Sequence, residues 1–285
     1  MDKYRLLRAQ IQAECVPPGE LLIPEAATGD ELALAHTAEY LARVHGGRLS
    51  EGEIRRIGLP WSPELLERSL RSVGGTIAAC RAALTDGVAV SLGGGTHHAC
   101  ADHGQGFCVF NDVPVALRLM QREKRIRRAV VLDCDVHQGN GTASILADDP
   151  SIYTFSIHAQ HNFPFRKFPS DLDLALPDGV GDEEYLDLLE EGARRAIAFA
   201  SPNMAIYLAG ADPFEGDSLG RLALTKDGLA RRDDLIFRLC REAGIPVAIV
   251  MSGGYGKNIG DTVEIHARTV RGALNFWGSG AWRPG

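Results

Sequence analysis

Five short apolar runs limit the architectures open to this chain. They are Val88 to Leu92, Ala129 to Cys134, Ile152 to Ile157, Met204 to Ala209 and Pro246 to Met251. Each is continuous rather than alternating, as expected for strands buried on both faces of a parallel sheet. Segments of helical spacing lie between them. One starts at Asp182, read as an N-cap, and passes through Tyr185, Leu189, Ala193, Ala196 and Ile197; another spans Asp227 to Arg241. The first quarter reads as helix from Glu31 to Val44, and again after Ser62-Pro63, an N-cap and N1 pair. The β-α-β-α alternation predicts an α/β fold with a largely parallel sheet. His158 to Gly181 reads as the one long loop, and its Phe163, Phe165 and Phe168 suggest a functional rather than a passive connection.

A chain of 285 residues can build one large core, and no repeat, low-complexity segment or linker divides it, so 1–285 is read as one domain. The net charge of −7, with no basic run, argues against stable nucleic-acid binding and leaves cationic substrates open. The six cysteines, Cys15, Cys80, Cys100, Cys108, Cys134 and Cys240, form no Cys-x-x-Cys pair. They read as buried free thiols of a reducing compartment. No apolar h-region follows Met1, and no apolar stretch approaches about 20 residues. Neither a secretory signal nor a membrane span is therefore expected, and the predicted location is cytoplasmic.

Chemistry concentrates where the strands end, which is where sites form in open α/β sheets. Val88 to Leu92 runs into Gly93-Gly94-Gly95-Thr96-His97-His98, and Ala129 to Cys134 into Asp133-Cys134-Asp135-Val136-His137. Met204 to Ala209 runs into Gly210-Ala211-Asp212, and Pro246 to Met251 into Ser252-Gly253-Gly254-Tyr255-Gly256. Side chains alternate along a strand, so Asp133, Asp135 and His137 share one side. Two carboxylates and an imidazole so placed would desolvate badly without a cation, and their donor atoms suit zinc or ferrous iron. Asp212 adds a third protein ligand and leaves positions open for water and substrate. His97 and His98 follow three glycines, which let both turn into one pocket for proton transfer. Tyr255, flanked by glycines, is placed to donate to a developing oxyanion.

These residues, with Gly106-Phe107-Cys108, Asn111-Asp112, His137-x-Gly139-Asn140-Gly141, Gly210-Ala211-Asp212-Pro213, Gly216-Asp217-x-Leu219-Gly220 and Leu224-Thr225, closely resemble the histone deacetylase superfamily. That superfamily also includes acetylpolyamine amidohydrolases and acetoin-utilisation proteins. Asn162-Phe163-Pro164-Phe165-Arg166 and Leu176-Pro177-Asp178-Gly179 look most like its bacterial and class IV branch. The resemblance covers nearly the whole chain. It implies the arginase/deacetylase fold, one domain around an eight-stranded parallel sheet with helices on both faces. It implies metal ligands at Asp135, His137 and Asp212, a general base and acid at His98, and an electrostatic partner at His97 with Asp133 beside it. Tyr255 would polarise the acyl carbonyl. Gly106 and Phe107 would form one wall of an acyl-lysine tunnel, Phe163 or Phe165 the opposite wall, and Gly254 would lie beside it. A structural potassium is expected near Asp133, Asp135, His137, Ser156 and Ile157.

Two positions depart from the family pattern. Asn140 stands where many members carry a second relay Asp; an amide orients His98 without stabilising its cation as well. A first strand expected ahead of the Met1 to Arg8 segment is missing. The activity implied is metal-dependent hydrolysis of Nε-acetyl or longer acyl-lysine, with acetylpolyamines or other small acetylamines as the alternative substrates. An arginase-like two-manganese enzyme would need a carboxylate where Gly210 stands. A non-enzymatic module that reads acyl-lysine would have no use for the filled catalytic positions.

Overall fold

The computed structural model describes residues 2–15 and 21–278. Helices α1 (Asp2–Glu14), α2 (Gly29–Leu32), α3 (Ala38–His45), α4 (Glu51–Ile57) and α5 (Pro63–Asp86) precede the first strand, β1 (Val88–Ser91). There follow α6 (Asp112–Arg122), β2 (Ala129–Asp133), α7 (Asn140–Leu146), β3 (Ile152–Ala159) and β4 (Leu172–Leu176). The chain continues with α8 (Asp182–Ala200), β5 (Met204–Leu208), α9 (Lys226–Glu242), β6 (Val247–Val250) and α10 (Ile259–Gly278).

All five apolar runs are strands, and every strand pairing is parallel. Their continuity has the expected cause: alternate residues feed two different cores. Val130 and Leu132 of β2 join one face with Tyr207 and Ile249, while Val131 joins the other with Ile206 and Val250. The fold class is as expected, but the strand count is not. Among the described residues the sheet has six strands in the order β1-β6-β5-β2-β3-β4, not eight. Residues 2–14 form helix α1, and the chain beyond Leu21 crosses α5 through Ala27 N to Leu70 O (3.0 Å) without joining β1.

Three local expectations need correcting. Residues 158–181 are not all loop: β4 lies within them on the edge of the sheet. Glu31 to Val44 is not one helix. Thr28 caps α2 and Thr37 caps α3, and the turn between them buries His36. Asp182 is the first residue of α8 rather than its cap; its carboxylate accepts instead from Thr225 N (2.8 Å) and Thr225 Oγ1 (2.7 Å). Ser62 does cap α5, accepting from Leu65 N at 3.1 Å. All six cysteines are unpaired, and no helix among the described residues is long and apolar enough to cross a membrane.

Candidate active site

Strands β1, β6, β5 and β2 are consecutive neighbours, so the four polar strand ends lie along one rim. Asp135 is held by four donors. Its Oδ1 faces His137 N (2.9 Å) and His137 Nδ1 (3.0 Å), and its Oδ2 accepts from Ser252 Oγ and Gly253 N, both at 2.7 Å. Asp212 Oδ1 accepts from Val136 N at 2.9 Å. Ligand atoms of Asp135, His137 and Asp212, all buried, lie within 4.8 Å of one another. Asp212 Oδ2 is 3.3 Å from His137 Nδ1 but out of hydrogen-bonding geometry, leaving it a buried oxygen with no donor.

That orphaned oxygen tests the fit of a cation, because a buried carboxylate oxygen without a partner is costly and a metal supplies one. The electrostatics agree. Burial, and then the charge of Asp135, push the Asp212 pKa up to about 6. Burial opposes a charge on His137, yet Asp135 and Asp212 push its pKa up to about 10. The trio attracts positive charge, and its oxygen and nitrogen donors suit zinc or ferrous iron. A Cβ added at Gly210 would lie 2.8 Å from Asp135 Cα and 2.8 Å from Asp212 Oδ1. The carboxylate that a second metal would need has no room there.

The histidines reach this rim by a loop that crosses the end of β6. Gly94 and Gly95, with φ of 81° and 75°, make the turn. Met251 N donates to Gly93 O (3.2 Å), and Ser252 N donates to Gly94 O (3.1 Å). Asp112 locks the loop from below. Its two oxygens accept from Gly95 N (2.8 Å), Thr76 Oγ1 (2.5 Å), Thr96 N (2.7 Å) and Thr96 Oγ1 (2.6 Å). Asn111 Nδ2 adds a bond to Ala99 O at 2.9 Å. The result is two buried imidazoles with ring centres 4.2 Å apart.

Their partners differ as the resemblance implied. His97 Nδ1 donates to Asp133 Oδ2 at 2.7 Å, and His98 Nδ1 donates to Asn140 Oδ1 at 3.0 Å. Burial disfavours a charge on His97, but Asp133 and Asp135 outweigh it and push the pKa up to about 9. Burial, with His97 and His137 nearby, holds His98 well below the ordinary imidazole value. With Nδ1 donating, Nε2 of neutral His98 carries the free lone pair.

Aromatic residues pack around His98 and Tyr255. The Phe163 ring stands edge-on to His98 at 4.8 Å. A Cβ at Gly106 would fall 2.7 Å from His98 Cδ2 and 2.9 Å from Phe163 Cε1, so only glycine lets the wall close there. The Phe107 ring lies 5.6 Å from that of Tyr255. Of the two loop aromatics offered as the opposite wall, Phe163 is the one that packs on His98; Phe165 is 88% exposed and packs on Phe163. Tyr255 is 39% exposed, its N donates to Asp217 Oδ2 at 2.6 Å, and burial around the hydroxyl raises its pKa. Gly254 is buried, against Ala211, Thr262 and His266. Ser156 pairs in register with Asp133, but its hydroxyl already meets His158 Nδ1 at 3.0 Å; Ile157 beside it is buried.

Several supporting residues had no assigned role in the sequence. Asn111 and Asp112 read there only as part of a motif, because an acidic residue at a helix start is usually a cap. Asn162, whose Nδ2 donates to Leu219 O at 2.6 Å and lies 3.4 Å from His137 Nε2, likewise read only as part of a motif, and buried Lys3 gave no local signal.

Known proteins resemble this chain in sequence and in fold. The sequence matches the family described as histone deacetylase domain over residues 1–270. It is 42% identical over 278 residues to an uncharacterized protein of Picosynechococcus sp., covering 97% of this chain and 93% of that one. It is 38% identical over 202 residues to histone deacetylase 2 of Arabidopsis thaliana, covering 68% of this chain and 52% of that protein. The fold matches the crystal structure of an HDAC homolog complexed with SAHA with a TM-score of 0.78 at 22% identity, covering 98% of this chain and 83% of that one. The chain therefore belongs to the histone deacetylase family, a family of amide hydrolases built on the arginase/deacetylase fold.

Proposed function

We propose that this protein is a metal-dependent deacylase that hydrolyses the Nε-acetyl, or a longer acyl, amide of lysine in proteins. The observation that carries the reading is the orphaned, buried Asp212 Oδ2 between Asp135 and His137, beside a neutral His98 with its Nε2 lone pair free. Asp135, His137 and Asp212 would hold a divalent ion, zinc or ferrous iron, whose chemistry when bound is Lewis-acid polarisation of a carbonyl and acidification of water. His98 Nε2 takes a proton from the attacking water and later returns one to the leaving amine. His97, kept cationic by Asp133, supplies a fixed positive field beside it. The Tyr255 hydroxyl donates to the acyl oxygen as negative charge develops there. Asn140 orients His98 without charging it.

Phe107 and Phe163 flank the slim aliphatic stem, and Gly106 keeps the wall thin against His98. Protein-borne lysine is favoured by the open aromatic rim: Phe107 is 43% exposed and Phe165 is 88% exposed, leaving faces against which a peptide can lie. A structural potassium would sit near Asp133, Asp135, His137, Ser156 and Ile157; of these, Asp133 and Ser156 are register partners across β2 and β3. Six unpaired thiols support a reducing, cytoplasmic setting. The test is a screen of acetyl- and longer acyl-lysine peptides against acetylpolyamines with the purified, zinc-loaded protein. Turnover of the peptides supports the reading. Turnover of acetylpolyamines alone replaces the substrate, and binding without turnover of any of them rejects the enzyme.

A further inference from the structure

Arg232, on α9, is fully buried, and so is its neighbour Asp233. Arg232 Nε and Nη2 donate to Asp233 Oδ1 at 3.0 and 2.8 Å. Two hydroxyls hold the carboxylate in turn. Tyr207 Oη of β5 donates to Oδ1 at 2.5 Å, and Thr269 Oγ1 of α10 donates to Oδ2 at 2.6 Å. A buried ion pair stabilises a fold little more than apolar residues of the same volume, because stripping both charges of water is costly. Stability alone therefore does not account for a fully buried arginine at this place.

The remaining arm of the guanidinium supplies a reason. Nη1 donates to Gly210 O at 2.6 Å and to Cys134 O at 3.4 Å. These carbonyls lie at the ends of two neighbouring strands, β5 and β2, just past their last register pair, Leu208 and Asp133. One more backbone bond follows, from Cys134 N to Leu208 O at 3.2 Å. Beyond it the two ends carry Asp135 and Asp212. Cys134 O belongs to the peptide that leads into Asp135, and Gly210 stands two residues before Asp212. From the site side, Val136 N donates to Asp212 Oδ1 at 2.9 Å. Two buried carboxylates repel each other when brought this close, so their spacing has to be imposed by the backbone that carries them.

We propose that Arg232 is a positioning residue for the metal centre: Nη1 ties the end of β2 to the end of β5, and the pair with Asp233 aims it, so that Asp135 and Asp212 are spaced for a cation in advance. The inference rests on the ligand set given above. A site spaced in advance binds more tightly than one that has to be ordered on binding. Arg232 therefore acts on metal affinity, separately from whatever it adds to the stability of the fold.

The test is zinc affinity, measured by titration against a competing chelator, alongside denaturant unfolding of the metal-free protein. The variants are Arg232→Met, Arg232→Lys and the fourfold change Tyr207→Phe/Arg232→Met/Asp233→Leu/Thr269→Val, which replaces the whole network with apolar side chains. Arg232→Met is expected to weaken zinc binding about 10- to 100-fold, the usual loss when a group that orients metal ligands is removed. Arg232→Lys keeps the charge without the fork and should fall between Arg232→Met and the parent. The fourfold variant leaves no member of the network unpaired, so it should regain metal-free stability while its zinc affinity stays low. An unchanged affinity in Arg232→Met, or an affinity that returns with stability in the fourfold variant, would overturn the proposal. If Arg232→Met is not recovered folded, Arg232→Lys and the fourfold variant make the same comparison. A parent that binds no zinc, or binding as tight in Asp135→Ala as in the parent, rejects the ligand set itself, which separates that failure from this one.

Discussion

Replacing Asn140 with Asp puts a carboxylate where an amide now accepts from His98 Nδ1 at 3.0 Å. Unit charges about 4 Å apart attract by roughly 4 kcal/mol at an effective dielectric of about 20. Asn140 is only 8% exposed, so stripping water from the new carboxylate offsets a good part of that gain. A remainder of about 1.5 to 3 kcal/mol for the imidazolium corresponds to about one to two pH units. The sign follows from the state of the parent. There His98 is held well below its ordinary pKa by burial and by His97 and His137, so it is neutral and able to accept a proton. The carboxylate stabilises the charged form, and the fraction of usable base at a given pH falls. The acidic limb of the kcat/KM profile should therefore move up by about one to two units with the plateau preserved. Initial rates on a fluorogenic acetyl-lysine peptide, with metal content checked at each pH, measure it directly. His98→Ala should abolish turnover, whereas His97→Ala should leave a measurable residue. An unmoved limb in Asn140→Asp, or more activity in His98→Ala than in His97→Ala, would show the two histidine roles to be reversed.

Other consequences are equally open to measurement. Tyr255→Phe should keep its metal and thermal stability while losing about 10²-fold in turnover, and a rate close to the parent would remove Tyr255 from the chemistry. Asp135→Ala and Asp212→Ala should each lose metal by elemental analysis with circular dichroism unchanged; full metal retention in both refutes the ligand set. Away from the site, His36 is locked neutral, its Nδ1 donating to Cys100 O at 3.0 Å and its Nε2 accepting from Asn111 N at 2.9 Å. Burial lowers its pKa to about 4, so its contribution to stability is complete above the ordinary value of 6.5 and is lost as pH falls from there towards 4. That contribution is roughly 3 kcal/mol. The stability difference between the parent and His36→Gln should shrink across this interval in chemical denaturation, and a pH-independent difference would contradict the assignment.

Much of the fold was legible because buried parallel strands are written as unbroken apolar runs. β4 escaped because it is an edge strand. Asp171-Leu172-Asp173-Leu174 alternates, is only partly buried, and sits among the Phe, Pro and Gly residues of a loop. The break between α2 and α3 escaped for a related reason: Thr37 and His36 suit a helix by spacing, and only the burial of His36 against Asn111 and Cys100 shows why the chain turns there.

By itself the sequence determined the fold class and the polar residues at four strand ends, because these depend on residue type and short spacing; the unequal partners of His97 and His98, 36 and 42 positions away, came only from the family resemblance. Only the tertiary structure decided that β1, β6, β5 and β2 lie side by side. Pairing between parallel strands is made by backbone groups that every residue carries, so neighbours are chosen by the packing of the whole sheet. The same non-local packing put Phe163 rather than Phe165 against His98 and set Asp112 beneath the histidine loop. It also carried Lys3 across some 250 positions to the turn before Tyr255. Contacts of that reach leave no local pattern, because each partner is selected by shape and charge in a pocket that exists only once the chain has folded.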